Sequence, residues 1–112
     1  MKEALDARIL DALYEVIRSR SEADPEESYT ARLFSKGEAK IAQKFGEEAV
    51  ETVIEGLRDD PDALASESAD LLYHLLVLWA AKGVAPTQVW EKLLQRKGIS
   101  GLREKLSRPR GS

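Results

Sequence analysis

Two short acidic pairs hold most of the chemistry available to this 112-residue chain: Glu48-x-x-Glu51, then fifteen residues, then Glu67-x-x-Asp70. At about 100° per residue, a spacing of three keeps both acids of a pair on one side of a helix. Asp59, Asp60 and Pro61 stand between the pairs. They stop one helix and start the next, with Asp60 as N-cap and Pro61 in the first helical position. Helices joined by so few residues are antiparallel neighbours. Positions 48 and 51 lie two to three turns before this turn, and 67 and 70 lie about as far after it. The four carboxylates are therefore expected to meet side by side.

Such a meeting is costly without a cation. Two unit charges about 5 Å apart repel by roughly 3 kcal/mol at an effective dielectric near 20. Several such pairs would consume much of a small domain's stability, typically about 5–15 kcal/mol. A hard divalent ion reverses the sign of that term. The chain has no cysteine and a single histidine, so an all-carboxylate site selects Mg²⁺ or Mn²⁺ over Zn²⁺. Mg²⁺ held in this way keeps positions open for phosphate oxygens, which points to phosphoryl chemistry.

The helices that must position these acids are legible from apolar spacing. Leu5, Ile9, Leu13, Val16 and Ile17 predict an amphipathic helix over residues 3–20, followed by a polar loop over 21–29. A second helix is expected from near Thr30 or Ser35 to about Leu57, with a break at Gly37. Ile41, Ala42, Phe45, Ala49, Val53 and Leu57 give it a broad apolar face. Glu47, Glu48, Glu51 and Glu55 then fall in about one third of its circumference, opposite the middle of that face, with Lys40 and Lys44 earlier on the same stripe. A third helix is expected over 61–82 with Gly83 as its C-terminal cap. It carries Glu67, Asp70 and His74 on one face, while 71–79 is otherwise apolar nearly all round. Such a helix is buried on most sides, which implies that a second subunit helps to cover it. A fourth helix is expected over 86–97, ending at Gly98, and a short fifth in the basic tail that follows.

The class is therefore all-α, a bundle of four to five helices, with one domain over 1–108 and a disordered tail at 109–112. Seventeen basic against 20 acidic residues give a net charge of -3, which argues against a general nucleic-acid binder. The first residues are charged, with no apolar signal core. The longest apolar run, 75–81, is far short of the roughly 20 residues that span a bilayer. No membrane association and a cytoplasmic location are expected.

The acidic motif resembles the metal motif of the all-α nucleoside triphosphate pyrophosphatase superfamily. The flanking segments are more specific. Ser28-Tyr29-Thr30-Ala31-Arg32-Leu33-Phe34, the run from Lys44 to Glu51, the run from Glu67 to Leu78, and Arg96-Lys97-Gly98-Ile99-Ser100-Gly101-Leu102-Arg103-Glu104-Lys105 resemble the phosphoribosyl-ATP pyrophosphatase family. The resemblance covers about residues 5–108 and shows no departure at the four acidic positions. It implies Mg²⁺-dependent hydrolysis of phosphoribosyl-ATP to phosphoribosyl-AMP and pyrophosphate, the second step of histidine biosynthesis, by a homodimer whose helices are shared. The cyclohydrolase fused to this domain in some organisms is not expected here.

On this reading Glu48, Glu51, Glu67 and Asp70 are the metal ligands. Glu47, beside them, is the candidate for orienting the attacking water or taking its proton, with a helix-surface role or an extra ligand as its alternative. Lys44 and Lys40 are candidates for phosphate oxygens, although a Lys44–Glu48 salt bridge would use the first. Arg32 and Lys36 are candidates for the phosphoribosyl end. His74, one turn beyond Asp70, is a candidate partner of that carboxylate or a packed core residue. Two other functions fit the same acids. One is a house-cleaning pyrophosphatase for dUTP, dCTP or modified nucleotides; the other is a non-enzymatic interaction domain with an acidic docking face.

Overall fold

The computed structural model describes residues 5–98. Every regular element among them is a helix: α1 (Arg8–Arg20), α2 (Tyr29–Lys36), α3 (Glu38–Gly56), α4 (Pro61–Lys82) and α5 (Pro86–Lys97). The short helix expected beyond residue 98, the tail at 109–112 and the family signature from Ile99 onward lie outside the described residues.

Local chemistry sets the helix ends. The first helix starts at Arg8 rather than near residue 3. Asp6, just outside the N-cap Ala7, accepts the backbone N–H of Arg8 at 2.9 Å and pairs with its guanidinium at 2.8 Å, which forms a local turn leading into the helix. Ser28 caps α2 by accepting the N–H of Ala31 at 3.1 Å. The break expected at Gly37 separates α2 from α3. Gly37 has φ of 93°, a backbone state that a side chain would strain, and it turns the chain with a single residue between helices. Asp60 caps α4 through the N–H of Ala63 at 3.1 Å, Pro61 opens that helix, and Gly83 closes it in the left-handed conformation. α5 is pinned by Trp90, whose ring meets Trp79 edge-on at 6.0 Å and whose indole N–H donates to Asp11 at 3.3 Å.

α3 and α4 form the longest helix pair, running antiparallel across the turn at 57–60. The core lies toward one end of this pair. Ile41 of α3 meets Leu76 and Val77 of α4, Tyr14 and Ile17 of α1 and Leu33 of α2. The Tyr14 hydroxyl donates to the Val84 carbonyl at 2.7 Å and ties α1 to the loop after α4.

The rotation of α3 differs from the sequence expectation. Its inward face carries Ile41, Phe45, Glu48, Ala49, Thr52 and Glu55, so two of the acids lie on the packed side. The apolar positions on the opposite side are left open: Val50, Val53, Ile54 and Leu57 are 60%, 64%, 46% and 86% exposed. The helix therefore has two faces suited to packing, and within one chain α4 takes the one with the carboxylates.

Candidate active site

Glu48 lies seven positions after Ile41, and Val77 seven positions after Asp70, so the acids sit two turns from the core along both helices. At that height Glu48 of α3 and Glu67 and Asp70 of α4 each bring a carboxylate oxygen within 4.8 Å of the other two. Glu48 and Glu67 are half-buried, and Asp70 faces solvent. Glu51 lies close enough to Glu67 for its charge to oppose ionisation there, but it does not join the three that converge.

Two atoms define what the cluster lacks. Oε2 of Glu48 and Oε2 of Glu67 are both buried without a hydrogen-bond partner. A desolvated carboxylate oxygen without a donor is strongly unfavourable. Desolvation, then the charge of Glu51, pushes the Glu67 carboxyl up to about 7. A proton shared with Glu48 or Glu51, or a cation, relieves that oxygen. The donors are all oxygens, two of them already stripped of water, which suits a hard divalent ion. These three carboxylates can hold one.

The cations expected nearby are placed differently from one another. Lys44 pairs with Glu47 at 3.3 Å, one position short of the Lys44–Glu48 pair considered from sequence. Its ammonium is held further toward the charged form, chiefly by that bond, with smaller contributions from Tyr29 and Glu48. Glu47 also accepts from the Gln43 amide at 2.8 Å. These two donors, Gln43 first, lower its pKa, and its carboxylate lies outside the converging three. Lys40 is half-buried on the same side and adds to the field on Glu47. Arg32 donates to the Pro25 carbonyl at 3.1 Å, which ties α2 to the preceding loop, and Lys36 is exposed at the end of α2.

His74 is buried, and its contact with Asp70 is to the backbone: Nδ1 donates to the Asp70 carbonyl at 2.8 Å, with no bond to the carboxylate. That bond fixes the proton on Nδ1, so Nε2 accepts from the Tyr29 hydroxyl at 3.2 Å. Thr30 and the Tyr73 hydroxyl share a further hydrogen bond between α2 and α4. Tyr29 was not singled out from sequence, because no spacing relates residue 29 to residue 74.

The described helices include none long and apolar enough to cross a membrane. The family model for phosphoribosyl-ATP pyrophosphohydrolase matches residues 10–97. A phosphoribosyl-ATP pyrophosphatase of Azospirillum brasilense is 62% identical over 107 residues, 96% of this chain and 96% of that protein. The enzyme of the same name from Paramagnetospirillum magneticum is 60% identical over 94% of this chain and 96% of its own length. One from a Ruegeria species is 52% identical over 92% and 98%.

Proposed function

The chain belongs to the phosphoribosyl-ATP pyrophosphohydrolase family, whose enzymes act in histidine biosynthesis, and we propose that its reaction takes place at the carboxylates of α3 and α4 with Mg²⁺ as the resident ion. It is a hydrolase that splits phosphoribosyl-ATP into phosphoribosyl-AMP and pyrophosphate. The observation that carries the site assignment is that Glu48 and Glu67, each with a buried, partnerless oxygen, bring carboxylate oxygens together with one of Asp70 within 4.8 Å.

Glu48, Glu67 and Asp70 would hold the ion, with Glu51 at the edge of the cluster as a fourth ligand; Mn²⁺ suits the same oxygens. When bound, Mg²⁺ supplies neutralisation of the charge that grows on the phosphate oxygens. Lys44 and Lys40 face the same side of α3 and take up phosphate oxygens. Arg32 and Lys36 on α2 receive the phosphoribosyl end. As Lys44 turns to the substrate it releases Glu47, whose carboxylate then orients the attacking water or accepts its proton. In the absence of substrate, Gln43 and Lys44 hold Glu47 as a weak base, so this role depends on that exchange of partners.

The catalytic domain is read as one unit in a homodimer, because Val50, Val53, Ile54 and Leu57 form an apolar stripe that a second copy would cover. A cytoplasmic location is consistent with the absence of cysteine. Glu48→Gln and Asp70→Asn test the centre of the proposal. Each should lower pyrophosphate release by at least about 100-fold while the helical circular dichroism persists. Turnover within a few fold of wild type would exclude these residues from the reaction.

A further inference from the structure

Tyr29 opens α2 with 50% of its surface exposed, yet its side chain is held at both ends. The hydroxyl donates to Nε2 of His74 at 3.2 Å, and the ring lies on Tyr73 with centroids 6.1 Å apart and planes at 28°. His74 meets the Tyr29 ring edge-on and is itself fixed by the Asp70 carbonyl. About half of Tyr29 is thus left open to solvent while its hydroxyl and ring already have partners, so the pose is set before a ligand arrives. Its place also matters. His74 is one helical turn, about 6 Å, beyond Asp70. Lys44 lies within electrostatic reach of both the Tyr29 hydroxyl and Glu48.

We propose that Tyr29 stacks against the adenine ring of the nucleotide while the phosphates extend past Lys44 to the carboxylates, and that His74 is the positioning residue that holds the Tyr29 ring. The inference rests on the reading of Glu48, Glu67 and Asp70 as the phosphate-binding metal centre. A held aromatic ring suits a base, because stacking needs a flat face and a fixed side chain loses little entropy on binding. Removing such a platform costs about 5- to 150-fold in affinity.

The two products separate the base from the phosphates. In Tyr29→Leu, inhibition by phosphoribosyl-AMP should weaken by about 5- to 150-fold, while inhibition by Mg²⁺-pyrophosphate stays within about twofold. Tyr29→Phe keeps the ring and should restore most of the loss. His74→Asn should raise KM for phosphoribosyl-ATP more than it lowers kcat, and should add almost nothing to Tyr29→Leu. Equal loss of inhibition by both products, no loss with Tyr29→Leu, or a Tyr29→Phe defect as large as that of Tyr29→Leu would each overturn the stacking role. Full additivity with His74→Asn would overturn the positioning role. Wild-type turnover that needs no divalent ion and is not inhibited by Mg²⁺-pyrophosphate would instead remove the reading of the metal centre beneath it.

Discussion

Mg²⁺ binding should report directly on the protonation of Glu67. Burial and the neighbouring Glu51 raise its carboxyl from 4.5 to about 7 in the folded, metal-free protein. The folded state therefore holds a proton, between those values, that the unfolded chain has released. This contribution to stability is fully present below about pH 4.5 and is lost as pH rises through about 7. A divalent ion needs the same oxygens deprotonated, so it competes with that proton. For a single group with a pKa of about 7, the competition weakens apparent affinity by about 11-fold at pH 6 and by about 1.1-fold at pH 8. Mg²⁺ should accordingly bind about tenfold more tightly at pH 8 than at pH 6. Roughly 0.9 proton should be released per ion at pH 6 and roughly 0.1 at pH 8. Isothermal titration calorimetry in buffers of differing ionisation enthalpy measures both quantities. Glu67→Gln should bind Mg²⁺ weakly and without this pH dependence. Equal wild-type affinity at the two pH values, with no proton release at the lower one, would show that the ion does not meet the Glu67 carboxylate.

Two further outcomes follow from neighbouring residues. Lys44→Met should raise KM for phosphoribosyl-ATP by about tenfold or more, the equivalent of one charged hydrogen bond, with circular dichroism unchanged; an unaltered KM would remove Lys44 from phosphate binding. Val53→Asp places a charge in the open stripe of α3, and because a two-fold interface counts the change twice, it should weaken self-association by at least about 100-fold. Sedimentation equilibrium that finds the same mass in variant and wild type would place the subunit contact elsewhere, or show that the chain is monomeric.

The features legible in the sequence were those governed by local rules. Asp60, Pro61 and Gly83 bound α4 at the expected residues because capping depends only on near neighbours. Gly37 marked a break because few residues other than glycine accept its backbone angles. The convergence of Glu48, Glu67 and Asp70 followed from spacing on two helices joined by a short turn. The rotation of α3 about its own axis was not legible. Its apolar and acidic sides both suit packing, and periodicity alone does not say which one meets α4. The same kind of gap hid Tyr29, whose hydroxyl finds His74 across 45 positions of chain. The bond from Gln43 to Glu47 has a spacing of four that the sequence shows, but Glu47 is expected there to serve the attacking water, and its amide partner went unpredicted.

The distance between the core and the carboxylates has a consequence for how the enzyme can change over time. Ile41, Leu76 and Val77 secure the hairpin of α3 and α4 two turns away from Glu48 and Asp70. Foundation and workshop thus occupy separate storeys of the same two helices. Electrostatic stress among the acids loads the storey nearest the turn, which has little apolar packing of its own. Substitutions that retune metal or substrate preference can therefore accumulate there while the lower storey goes on specifying the fold.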